Sequence, residues 1–103
     1  MSLKLYVLIR SDISEAQQAV QAGRALAKFG LEHPKQFKAW QEDSNILVYL
    51  SVDDINRWDT VLADGKFKHS TFFEPAGWEF RYQSTAIAVA PRHIVRDAGM
   101  KFA

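Results

Sequence analysis

An apolar strand-forming run set directly against an alanine-rich helix confines this chain to folds in which a helix lies on a sheet. Leu3-Lys4-Leu5-Tyr6-Val7-Leu8-Ile9 is apolar with little alternation, as expected of a central, parallel-type strand covered on both faces. The polar turn Arg10-Ser11-Asp12 follows, and Ser14–Gly30 then reads as a helix. Ser14 with Gln17 three residues later fits a capping box, Glu15 lies where the helix dipole favours an anion, and Gly30 after Lys28 reads as a C-terminal stop. Ala16, Ala19, Val20, Gly23, Leu26 and Ala27 recur at three- and four-residue spacing, predicting a small apolar face that lies close to a sheet. Gln17, Gln21 and Arg24 fall on an adjacent stripe, which is either solvent surface or half of a site.

The rest of the chain repeats this alternation. Pro34 opens a short amphipathic helix carrying Phe37 and Trp40. Trp40 has the chemistry to stack on a base, but its spacing from Phe37 favours a core or rim anchor. Asn45–Val52 reads as a second buried-type strand, and Asp53-Asp54 starts a helix through Ile55, Trp58, Val61 and Leu62 that Gly65 ends. Phe67–Glu74 alternates like a strand with one wetter face, and Pro75-Ala76-Gly77 breaks it. Gln83–Ala90 is a last strand with Thr85, Ile87 and Val89 on one side and Ala86, Ala88 and Ala90 on the other, where something large approaches closely. From Pro91 onward one or two helical turns and a loose tail are expected. The expected architecture is α/β: a three-layer arrangement in β-α-(α)-β-α-β-β order, with a mixed, mostly parallel four-stranded sheet and helices on both faces.

A chain of 103 residues, 48% of them hydrophobic, suits one domain spanning residues 1–103. Without cysteine, disulfides, thiolate nucleophiles and thiolate metal sites are excluded, which is compatible with a cytoplasmic location. No apolar run reaches bilayer-spanning length, and the first residues read as a strand rather than a signal peptide. A net charge of +1 does not by itself point to nucleic acid. Basic clusters at Lys66-Phe67-Lys68-His69 and around Arg92-His93, Arg96 and Lys101 each read first as solvated loop or tail charges.

Phosphate-cradling glycine loops, nucleophile elbows and zinc-binding helix motifs are all missing, and His33, His69 and His93 lack metal-ligand spacing. Asp12 lies at the carboxyl end of the first strand beside a helix N-terminus, where open α/β sheets hold ligands. It is equally explained as a turn former or dipole partner. Gln17 is explained by the capping box, Gln21 by an exposed helix face, Glu74 by a strand-end charge and Thr85 by β propensity.

Taken jointly, Arg10-Ser11-Asp12, Ala19-Val20-Gln21-Ala22-Gly23, Glu74-Pro75 and Thr85-Ala86-Ile87-Ala88-Val89-Ala90-Pro91 add a further reading. In order and spacing these motifs resemble the peptidyl-tRNA hydrolase 2 family, especially its short bacterial and phage-like members, over nearly the whole chain. The resemblance implies hydrolysis of the ester joining a peptide to the terminal ribose of tRNA, with no metal or organic cofactor, by a cytoplasmic homodimer. It implies Asp12, Gln17, Gln21, Glu74 and Thr85 as catalytic residues and Arg10, Arg24, Lys68 and Trp78 as substrate-binding residues.

The chain also departs from the family pattern. Gln17 stands where a lysine is common, Arg24 stands at the helix histidine, and Trp78 or Glu79 replaces a second threonine. Glu-Pro-Ala at residues 74–76 replaces the Glu-Pro-Asp of the short relatives. These departures keep a second expectation open, that of a catalytically inactive tRNA- or protein-binding module of the same fold.

Overall fold

The computed structural model describes residues 3–63, 68–74 and 83–90. In chain order they form β1 (Lys4–Arg10), α1 (Glu15–Glu32), α2 (Pro34–Asp43), β2 (Ile46–Val52), α3 (Ile55–Leu62), β3 (His69–Phe73) and β4 (Ser84–Val89), the order expected from the sequence. The expectations for Gly65, Lys66 and Phe67, for the Pro75-Ala76-Gly77 break, for Trp78 and for everything from Pro91 onward fall outside the described residues.

Local chemistry accounts for the helix boundaries. The Ser14 hydroxyl accepts the backbone N–H of Gln17, as the capping pattern predicts. The expected stop at Gly30 is corrected, because α1 runs on to Glu32. The break falls one residue before Pro34, whose ring disfavours helical geometry at His33, and His33 accordingly takes φ −131° and ψ 62°. Asn45, at φ 56°, occupies the left-handed position after α2, with its N–H bonded to the Trp40 carbonyl. Asp54 caps α3 by accepting the Arg57 N–H.

The domain is α/β, with one mixed four-stranded sheet in the order β2-β1-β4-β3 and three helices. The expectation of a mostly parallel sheet is corrected. Only β1 and β2 pair in parallel; β1–β4 and β3–β4 are antiparallel. The parallel pair follows from the α1–α2 crossover between its strands, whereas β4 arrives from the β3 side and runs back against both neighbours.

Alternate residues of β1 feed two hydrophobic clusters. Leu5, Val7 and Ile9 join Ala22, Ala25 and Phe29 of α1, Trp40 of α2, and Ala86 and Ala88 of β4. Tyr6 and Leu8 join Leu50 and Val52 of β2, Ile55, Trp58 and Leu62 of α3, and Ile87 and Val89. Ala22, Ala25, Ala86 and Ala88 are all fully buried, so α1 does approach β4 closely through small residues. The helix face that does this differs from the predicted one. Ala16, Ala19, Val20, Gly23 and Ala27 are exposed, and only Leu26 of the predicted face packs partly against the core.

Ala22, Ala25, Leu26 and Phe29 form a second apolar stripe at helical spacing, with the large Phe29 at its end, and this stripe packs on the sheet while Gln21 beside it is buried against polar partners that satisfy it. Burial of a side chain such as Phe29 contributes about 1.5–3 kcal/mol. Trp40 is buried, and its indole N–H donates to the Ile46 carbonyl at 2.7 Å, which makes it the core anchor its spacing favoured.

Candidate active site

The polar stripe of α1 lies along β3 while staying partly open to solvent. Arg24, Lys28 and Glu32 recur every four residues; Arg24 reaches Glu74, Lys28 donates to the Thr71 carbonyl at 2.8 Å, and Glu32 accepts the Ser70 hydroxyl at 2.5 Å. The Arg24 guanidinium also sits 5.5 Å from the centre of the Phe72 ring. At one end of this row, Gln21, Glu74 and Thr85 converge.

Gln21 is 1% exposed and Glu74 is 4% exposed, so neither is the surface side chain that its sequence context alone suggested. The Gln21 amide N–H donates to Glu74 Oε2 at 3.0 Å, and the Thr85 hydroxyl donates to Gln21 Oε1 at 3.1 Å. A carboxylate only accepts, so the NH2 end of Gln21 must face Glu74 and its carbonyl end must face Thr85. The cluster is therefore a directed chain running from hydroxyl to amide to carboxylate. Gln17 extends it, accepting from Gln21 Nε2 at 3.4 Å. Arg24 closes it on the solvent side, its half-exposed guanidinium donating to Glu74 Oε2 at 3.2 Å.

Strand irregularity puts Thr85 there. Phe72 pairs with Ala86, but Phe73 pairs with Ser84, so Thr85 is an extra residue opposite no partner. The expectation that Thr85 shares a side with Ile87 and Val89 is thereby corrected. Ala86 packs in the α1 cluster and Thr85 bonds to Gln21 of α1, so two consecutive residues of β4 turn to the same face. Glu74, just beyond β3, is held by its backbone N–H on the Gln83 carbonyl at 3.1 Å.

Asp12 and Arg10 form a separate unit. Arg10 grips Asp12 with two parallel N–H donors, at 2.6 and 2.7 Å, and its other branch donates to Gln83 Oε1 at 3.1 Å and to the Ser84 carbonyl at 3.3 Å. The Arg10 hydrogen bonds hold the Asp12 carboxyl below the ordinary carboxylate range, against the opposing effect of burial. Asp12 thus braces the start of β4 through Arg10 and makes no bond to Gln21, Glu74 or Thr85 among the described residues. Lys68 is exposed at the opposite end of β3 from Glu74, roughly 20 Å away at strand spacing, so the structure does not bring it to the cluster.

The chemistry open to the cluster follows from which hydrogens are engaged. Both Gln21 amide hydrogens and the Thr85 hydroxyl hydrogen have acceptors inside the cluster. Among the described residues both donors to Glu74 meet Oε2, leaving Oε1 without one. Glu74 Oε1 is then an acceptor for a water, the fully buried Thr85 acts on the carboxylate through Gln21, and Arg24 is the donor for an oxygen that gains negative charge. Sequence reasoning missed Lys28 and Asp59 as parts of this region. Lys28 was foreshadowed by its four-residue step from Arg24, whereas nothing in the linear pattern marks Asp59.

Among the described residues, no group of three or more His, Asp or Glu side chains is arranged to hold a metal ion, and no helix is long and apolar enough to cross a membrane. His33 uses Nε2 to donate to the His69 carbonyl at 2.9 Å. Compared with protein-family models and with curated proteins, the chain finds no matching family and no matching relative.

Proposed function

We propose that the chain is a peptidyl-tRNA hydrolase 2-like ester hydrolase acting at Gln21, Glu74 and Thr85. What supports the reading is convergence: residues 53 and 64 positions apart in sequence, picked out by motif order, meet in one buried hydrogen-bonded chain. Buried polar groups are costly unless satisfied, and a fold of this size has few, so a buried Gln–Glu–Thr set at a sheet end fits a site better than a core.

In this mechanism a water rests on Glu74 Oε1, while Thr85 and Gln21 hold the carboxylate in place from its buried side. Its proton passes to Glu74 as its oxygen bonds the ester carbonyl carbon, and Arg24 donates to the resulting oxyanion. Collapse breaks the bond to the ribose oxygen, which takes the proton from Glu74. The products are a free tRNA hydroxyl and a peptide carboxylic acid, which ionises by losing its proton to solvent. No atom changes oxidation state in these steps.

Release of peptide from purified peptidyl-tRNA tests the reading. Thr85→Ala and Glu74→Gln are expected to lower kcat by about 100-fold or more. A wild-type chain that releases nothing above buffer ends the hydrolase reading. In that case salt-dependent tRNA binding supports a silent binding module, which the neutral side chain at Gln17 favours. Gln17→Lys separates the two, because Gln17 already touches Gln21 and a cation there restores the missing charge.

A further inference from the structure

The far side of the bulge carries a second set of polar contacts. Asp59, on α3, accepts the Thr71 hydroxyl on Oδ1 at 3.1 Å and the Ser84 hydroxyl on Oδ2. Ser84 is buried, and its carbonyl is held at the same time by Arg10. Ser84 therefore points to the α3 side while Thr85, its neighbour, points to α1. This division exists only in the bulged register. With Ala86 to Val89 kept in place, a regular strand would put Thr85 beside Ile87 on the α3 side and turn Ser84 toward α1, since a one-residue change of register flips every side chain. The Asp59–Ser84 bond and the Thr85–Gln21 bond are thus made or lost together, although they lie on opposite faces of the sheet.

We propose that Asp59 is a positioning residue that clamps Ser84 and thereby fixes the β4 bulge, aiming the Thr85 hydroxyl at Gln21. Its meaning for ester hydrolysis rests on the function proposed above; the clamp itself does not. Thr71 supports the arrangement by bonding the second carboxylate oxygen, which sets the rotation of the Asp59 side chain. No side chain of α3 needs to touch the Gln21–Glu74 pair for this to work.

A double-mutant cycle between Asp59→Ala and Thr85→Val tests the clamp through the unfolding equilibrium constant. Groups on opposite faces with no shared partner multiply independently, whereas coupled ones do not. The fold-change caused by Thr85→Val is expected to shrink at least about threefold in the Asp59→Ala background. Ile55→Val, a core change on the same helix, is expected to multiply independently with Thr85→Val.

The milder variant Ser84→Ala keeps the test usable if Asp59→Ala does not fold. It is expected to shift the Gln21 side-chain amide and Thr85 methyl resonances, and Ser84→Thr, which keeps the hydroxyl, to restore them. Independent multiplication in the cycle, or unmoved Gln21 and Thr85 signals in folded Ser84→Ala, overturns the proposal. Because these readouts need no substrate, they decide the clamp whether or not the wild-type chain cleaves peptidyl-tRNA.

Discussion

The two outer strands of the sheet are finished in opposite ways. Along β3 the outward carbonyls of His69 and Thr71 are taken by His33 and Lys28, the Ser70 hydroxyl is held by Glu32, and α1 lies over the strand. Along β2 the chain reads Ile-Leu-Val-Tyr-Leu-Ser-Val with no charge, and Ile46, Leu47 and Tyr49 are 41%, 37% and 48% exposed. Side-chain bonds reach β2 only near its ends among the described residues, from Trp40 and Ser44 to Ile46 and between Ser51 and Gln18. An edge whose polar groups are occupied is fixed in register, and the candidate site stands at the end of that edge. The lesson is that α1 contributes more than packing: its row of long polar side chains measures out β3 and delivers Gln21 and Arg24 to Glu74.

Substitutions on the two sides are expected to separate by size. Phe29→Ala, under the covered side, should cost about 3–5 kcal/mol in urea unfolding by opening a cavity between α1 and the sheet. A loss below about 1 kcal/mol would show that α1 is not anchored there. Gln21→Leu removes a donor from the buried Glu74 carboxylate and should cost about 1–3 kcal/mol, read the same way.

Lys28→Met should cost about 1 kcal/mol and speed amide hydrogen exchange in β3 while leaving β2 unchanged. Equal acceleration in both strands would abolish the contrast. Tyr49→Thr on the open edge should stay within about 0.5 kcal/mol of the parent.

The smallest effect belongs to the exposed Arg10–Asp12 pair. Its contribution is complete above the ordinary carboxylate range and is lost as pH falls through the depressed Asp12 value. Arg10→Gln should therefore move the Asp12 carbonyl NMR titration to higher pH. An unmoved midpoint would remove Arg10 as the cause.

Much of this organisation was legible in the residues. Ser14, Pro34 and Asp54 announce their helix starts through short-range chemistry, and the alanines at 86 and 88 announce a close helix. Two features were not legible. Of the two apolar stripes on α1 the one ending in Phe29 is buried, and the burial of Gln21 beside it depends on a donor and an acceptor more than 50 residues away, which helical periodicity does not contain. The Thr85 bulge likewise has no glycine or proline to mark it, so a strict two-residue alternation assigned Thr85 to the wrong face. Both misreadings fall on the candidate site, where local rules and the global structure part company.

The surplus residue in β4 also bears on how such a chain tolerates shortening. Removing position 85 would join the Phe73–Ser84 and Phe72–Ala86 pairs into an unbroken ladder, leaving Ser84 and Ala86 on the faces they already occupy. A deletion, ordinarily the most disruptive of changes inside a strand, would here yield a straighter sheet and a helix glutamine with no hydroxyl to meet it. At this one position the molecule holds either an even ladder or the contact between Thr85 and Gln21, and it has the contact.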